Sequence, residues 1–129
     1  MSMTLSTAQN IVQRAIEKAD RDFKRPICVS VCDANGFQIA FARQDGAPIR
    51  SIDISRRKAF TAVRMGVGTH AFLERLRKDN IEASWFGDDL CPLPGGIPIK
   101  DASGAVIGGI GISGLAAHED QAIAEAVAS

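Results

Sequence analysis

Four charged side chains able to hold an anion or move a proton fall close together in the chain: Arg43, Asp45, Asp53 and Lys58. Arginine grips a carboxylate through a two-pronged fork of N–H donors. A lysine such as Lys58 works as an acid or base once desolvation lowers its pKa, with Asp53 as the other candidate proton carrier. The same residues also suit a solvated helix cap laced with salt bridges, and residue types alone leave both readings open. No Ser–His–Asp order, paired-carboxylate spacing or activated thiol accompanies them, so the residues by themselves name no reaction.

His70 and His118 are the only histidines. Apart from Glu74, four residues after His70, neither has an acid, Cys or His at the spacing of a helical metal site. With no HExxH or CxxC pattern, no metal-ion site is expected. An imidazole is nonetheless a type that ligates heme iron, as is the thiolate of Cys91, so His70, His118 and Cys91 are the axial-ligand candidates. A solvated surface histidine is the plainer alternative. Cys28 and Cys32 sit four apart in a β-branched run, on one face of a strand, and read as small buried hydrophobes.

Glycines supply the remaining candidates. Gly109-Ile110-Gly111-Ile112-Ser113-Gly114 spells the dinucleotide fingerprint, but too little chain follows it for the second strand and the ribose-holding acid that such a site needs. The missing side chains instead let a helix or a ligand approach the strand closely. Ser113 and Gly114 then open a turn whose N–H groups suit a carboxylate. Gly95-Gly96 is a second point of backbone access, or else a bulge that admits the chain to the sheet.

The elements that must position these residues follow from periodicity. Ser6-Thr7-Ala8-Gln9 reads as a capping box, and Ala8, Ile11, Val12, Ala15, Ile16 and Ala19 recur at helical spacing to about Phe23 before Pro26. Ile27 to Cys32 and Phe37 to Phe41 flank Asn35-Gly36, the signal for a hairpin with a type I′ turn. Ser51 or Asp53 caps a second helix, with Ala59, Ala62 and Val63 facing inward and Gly66 and Gly68 separating it from a further helix to about Lys78. Asp79 to Pro94 is aperiodic, a long loop of the kind that serves function or moves. Ile97 to Ile99 and Ala105 to Ile112 form strands around Asp101-Ala102-Ser103-Gly104, the second apolar on both faces and therefore central. His118-Glu119-Asp120 opens a last helix with its acids at the positive end. The order is that of an α+β domain with a mainly antiparallel sheet.

Bulk properties bound the function. The chain has 129 residues, 46% of them hydrophobic, and zero formal net charge. That suits one domain spanning residues 1–129, with a core that needs no metal or disulfide staple. A phosphate-binding surface calls for a basic excess that is absent, and Arg56-Arg57-Lys58 belongs to a helix, so nucleic acid is not expected as a partner. Six Phe, one Trp and no Tyr give little material for base stacking. There is no apolar run long enough to span a membrane. The first nineteen residues lack the apolar centre of a signal peptide, and three cysteines make no disulfide scaffold, so a cytoplasmic location is expected.

The blocks Asp33-Ala34-Asn35-Gly36, Phe41-Ala42-Arg43-Gln44-Asp45-Gly46-Ala47-Pro48, Ser51-Ile52-Asp53-Ile54 and Lys58-Ala59-Phe60-Thr61-Ala62 resemble the GlcG/HbpS family of heme-binding proteins. Thr69, Gly95-Gly96-Ile97-Pro98-Ile99, Gly108 to Gly114 and Asp120 complete the pattern in the family's order. The resemblance implies a profilin-like or PAS-like layered domain, a five-stranded antiparallel sheet flanked by helices, assembled into dimers or octamers. It also implies kinship with the C-terminal domain of PduO-type cobalamin adenosyltransferases, whose ATP-binding domain is a different one, and with proteins encoded in catabolic operons. The first helix here has no histidine to serve heme.

Three readings follow. The first is a small-ligand-binding protein, with heme or a similar planar carboxylated molecule the leading ligand, held by Arg43, Asp45, Gly95, Gly96, Ser113 and Gly114. The second is an enzyme of hydrolase, deaminase or tautomerase type acting on a small carboxylated metabolite, with Arg43 holding the carboxylate and Lys58 or Asp53 moving a proton. The third is an oligomeric assembly subunit without catalysis.

Overall fold

The computed structural model describes residues 2–129, and Met1 lies outside them. Helix α1 spans Leu5–Lys18, and Thr4, not Ser6 or Thr7, is its cap: the Thr4 hydroxyl accepts the Thr7 N–H at 3.1 Å. Capping at Thr4 lets Met3, just outside the helix, join Ala8, Ile11 and Ala15 in the core, the contact of a hydrophobic staple. The helix then widens into one π turn, Ala19–Phe23, which closes at Lys24.

Strands β1 (Cys28–Asp33) and β2 (Gln38–Arg43) form the expected hairpin, but not through a type I′ turn. Asp33 pairs with Phe37 across a three-residue loop, and the Asp33 carboxylate accepts the N–H groups of Asn35 (2.9 Å) and Phe37 (3.0 Å). Only Gly36 takes a positive φ, +93°. The aspartate organises the turn before Asn35-Gly36 can do so.

Helix α2 is Arg50–Met65, α3 is Thr69–Asp79, β3 is Gly96–Lys100, β4 is Val106–Ser113 and α4 is Ala117–Ala128. Neither Ser51 nor Asp53 caps α2, which starts at Arg50 after Ile49. Ser51 is buried against β4, and Asp53 lies in the exposed first turn beside Arg56, with 2.8 Å between carboxylate and guanidinium. Between α3 and β3 the chain makes one short 3-10 turn, Ala83–Phe86, and is strapped to α2: Arg57 donates to the carbonyls of Asp88 and Leu90, and Thr61 Oγ1 accepts the Cys91 N–H at 2.8 Å.

The strands make one antiparallel sheet in the order β2-β1-β4-β3. It has four strands and not the five that the resemblance implied, because the chain between β2 and β3 is spent on α2, α3 and the strapped segment. Alternation along β4 sorts its two faces. Ile110 and Ile112 face α1 and α4 and share a core with Val29, Val31, Ile123 and Val127. Gly109 and Gly111 face α2, whose backbone lies directly on them: a Cβ on Gly109 would come within 2.8 Å of the Ala59 carbonyl oxygen, and one on Gly111 would overlap that of Ser55. The fingerprint-like run is thus the seat of a helix, with α2 on one face and α1 and α4 on the other. Cys28 and Cys32 are fully buried, and burial pushes the Cys32 thiol up to about 12.

Because the obstacle at Gly111 is backbone, no side chain can swing aside for a methyl group. Gly111→Ala is expected to cost about 2 kcal/mol or more in urea unfolding at neutral pH. A loss below about 0.5 kcal/mol would contradict this packing.

Candidate functional site

Lys58 occupies the inner face of α2 and is 2% exposed. Its Nζ donates to the Ile112 carbonyl at 2.8 Å and to Asp120 Oδ2 at 3.1 Å, so one ammonium joins α2, the end of β4 and the first turns of α4. Asp120 is equally buried, and its Oδ1 accepts the Leu115 N–H at 3.1 Å. Burial raises the Asp120 carboxyl to about 6 from the ordinary 3.8, against the pull of Lys58 in the other direction.

Gly95 makes room for this pair. It has φ of +123°, and a Cβ there would come within 2.7 Å of the Ile112 carbonyl oxygen and 2.9 Å of Lys58 Nζ. A Cβ on Gly96 would overlap the Lys58 carbonyl. The N–H groups of both glycines are engaged inside the protein, Gly95 with Gln121 Oε1 and Gly96 with Thr69 Oγ1, each at 2.9 Å. The double glycine is therefore a packing device, and its amides are not turned toward a ligand.

Beside Lys58 a pocket of about 120 Å³ opens between the start of α2 and the turn into α4, lined among others by Arg50, Ser51, Ser113, Gly114 and Asp120. Ser113 donates its hydroxyl to that of Ser51 at 3.0 Å, and both are buried. Arg43 and Asp45 lie elsewhere. They line an open groove of about 480 Å³ with Lys24, Arg25, Pro26 and Gln44. Gln44 fixes its floor by accepting the Ile27 N–H at 2.9 Å and donating to Asp20 at 3.0 Å. Arg25 pairs with Glu119 at one rim.

The charged residues that are neighbours in sequence are thus divided by the fold. Arg43 and Asp45 belong to the groove, Lys58, Ser113 and Gly114 to the small pocket, and Asp53 to neither. The acid that meets Lys58 is Asp120, which the sequence offers as an acid at the positive end of the last helix and as part of the family pattern, but not as the lysine's partner. The available signal was Lys58 itself: a lysine between Ser55, Ala59 and Ala62 on an inward helix face requires a buried acid.

The axial-ligand candidates are also separated. Cys91 is buried beneath the strapped segment. His70 is half-buried, with its Nδ1 3.0 Å from Gln121 Nε2. The Gln121 amide is oriented by the Gly95 N–H on its oxygen and by Glu125 on its nitrogen, so Nε2 donates and His70 Nδ1 accepts. The proton of the neutral ring then sits on Nε2, the atom that would have to bind a metal. His118 is exposed in the first turn of α4, next to the Glu119 that pairs with Arg25. None of the three lines the groove or the small pocket. No cluster of three or more metal-ligating side chains occurs among the described residues, and no helix among them is long and apolar enough to cross a membrane.

A family model described as "Haem degrading protein HbpS-like" matches residues 3–129. A 15.0 kDa protein from the dhaT–dhaS intergenic region of Citrobacter freundii is 32% identical over 130 residues, covering 96% of this chain and 88% of that one. The crystal structure of a PduOC–heme complex superposes with a TM-score of 0.89 at 26% identity, over 99% of this chain and 94% of the other. A double mutant of Streptomyces reticuli HbpS does so with a TM-score of 0.89 at 34% identity, over 99% and 86%.

The raised Asp120 carboxyl sets a pH dependence with a definite sign. Between pH 3.8 and about 6 the folded chain keeps a proton that the unfolded chain has released. The contribution of this group to stability is therefore complete below that window and lost as the pH rises through it. In urea unfolding from pH 4 to 7, the stability of the wild type relative to Asp120→Asn should fall with rising pH. A difference that grows over that range would contradict the assignment.

Proposed function

Because this chain belongs to the HbpS-like family, we propose that it is a binding protein for heme or a similar planar carboxylated molecule, with the open groove at Arg43 receiving the carboxylates. The observation that carries this reading is the groove's charge: Lys24, Arg25 and Arg43 line one concave surface and outnumber its two acids, Asp20 and Asp45. Arginine and lysine there suit the two carboxylates of a porphyrin. The near-complete superposition on the PduOC–heme complex supports the same ligand class.

The fit is to the carboxylates. Apart from Pro26 the groove lining is polar or charged, and it contains no histidine or cysteine. An apolar ring face would need a second surface, which self-association to a dimer or octamer would provide. Exposed Phe37, Ile49 and Trp85 are apolar material for such contacts. Of the three candidate iron ligands, His118 is the exposed one, and it adjoins Glu119, which pairs with Arg25 of the groove. A cytoplasmic setting belongs to the same proposal.

Titration of the purified protein with hemin, followed by absorbance, tests the reading. Saturable binding is expected, weakened at least tenfold in a Lys24→Ala, Arg43→Ala double variant and unchanged in His70→Ala and Cys91→Ala. The His118→Ala spectrum should differ from that of the wild type. Absence of saturable binding, or full binding by the groove variant, would overturn it. Sedimentation velocity at micromolar concentration is expected to show a dimer or octamer, and a monomer would remove the proposed second surface.

A further inference from the structure

The pocket beside Lys58 has the composition of a binding site, and it does not depend on the groove. Its volume is about 120 Å³. That is about a quarter of the groove's 480 Å³. A porphyrin is far too large, whereas a carboxylate with one to three further carbons fits.

The charges in the pocket do not cancel. Lys58 and Asp120 neutralise one another, while Arg50, at the mouth and exposed, adds a positive charge with no acidic partner among the described residues. The lysine is also incompletely engaged. An ammonium carries three N–H donors, and two acceptors meet this one, Ile112 O and Asp120 Oδ2. Ser51, 1% exposed, shares one hydrogen bond with the Ser113 hydroxyl, which leaves the pair one further O–H to donate. A buried donor left without an acceptor is costly. Here a charged donor and a neutral one both line the same small cavity. Ile54 and Leu93 complete the wall with apolar surface that suits a short carbon chain.

We propose that the pocket formed by Arg50, Ser51, Lys58, Ser113 and Asp120 binds a small monocarboxylate of two to four carbons, independently of the groove at Arg43. The carboxylate lies between the Arg50 guanidinium and the Lys58 ammonium, with one oxygen accepting the Ser51 hydroxyl. Its short tail rests on Ile54 and Leu93. Asp120 already has both oxygens occupied, by Lys58 and by the Leu115 N–H, and its negative charge limits the site to ligands carrying a single carboxylate.

Isothermal titration calorimetry with sodium lactate, propionate and benzoate tests this on the intact protein. Saturable one-to-one binding of lactate and propionate is expected, with weaker binding of benzoate, whose ring is bulkier than the short chain that Ile54 and Leu93 flank. Arg50→Gln changes an exposed side chain and should fold normally, and it should weaken lactate binding at least tenfold. Arg43→Ala should leave lactate binding unchanged. No saturable binding of either small acid, equal binding of benzoate, or affinity that survives Arg50→Gln would overturn the proposal. So would loss of lactate binding in Arg43→Ala, which would move the ligand to the groove. Hemin binding by Arg50→Gln, measured alongside, keeps failure of this site distinguishable from failure of the groove.

Discussion

A buried ammonium is the constraint on which the end of the sheet depends. Taking a lysine out of water costs several kcal/mol unless an opposite charge and further acceptors meet it. Lys58 is met by Asp120 from α4 and by the carbonyl of Ile112 from β4. Two helices on opposite faces of the sheet are therefore fixed to one another through the end of β4. The same demand reaches β3, because the residue before that strand has to be Gly95 for Lys58 Nζ and the Ile112 carbonyl to keep their positions. Removing any one partner would leave a buried charge unanswered, so the arrangement is held as a unit.

The second constraint is height. Gly109 and Gly111 carry no side chains, so α2 lies with its backbone against β4 and Lys58 starts close enough to pass the sheet's end. A helix seated farther out would draw the ammonium back from Asp120. The glycine run in β4 and the glycine before β3 thus serve one purpose, although they stand apart in the chain. The turn from β4 into α4, through Ser113 and Gly114, closes the pocket beside the lysine, while Arg43 and its neighbouring cations open onto a separate groove. Family membership and the structural superpositions concern the whole chain. The proposed division into a groove for large carboxylated ligands and a pocket for small ones rests on these side chains alone.

Much of the fold was legible because it depends on local pattern. The helical stripe of Ala8, Ile11 and Ala15, the hairpin at Asn35-Gly36 and the two-sided apolar run of β4 each reflect a period that burial imposes. What the pattern missed was decided by single polar atoms. Asp33 took over the hairpin turn by accepting two amides, Thr4 capped α1 so that Met3 could be buried, and Ser51 turned to Ser113 instead of capping α2. The candidate site was legible as a set of residue types but not as a place. Arg43, Asp53 and Lys58 are neighbours in sequence, yet a strand end, an exposed helix turn and an inward helix face carry them apart. The acid that completes the lysine lies 62 residues away, a distance that no local pattern spans.

The proposed coexistence of two distinct sites on this small fold is open to direct test. The most direct measurement is a pair of amide chemical-shift titrations of isotopically labelled protein, one with sodium lactate and one with zinc protoporphyrin. Lactate is predicted to move the amides of Ser51, Gly114, Leu115 and Ala117, and the porphyrin those of Lys24, Arg25, Gln44 and Asp45, with saturation of one set leaving the other responsive. If both ligands move the same set, or if occupation of one site abolishes the response at the other, the two-site account is contradicted.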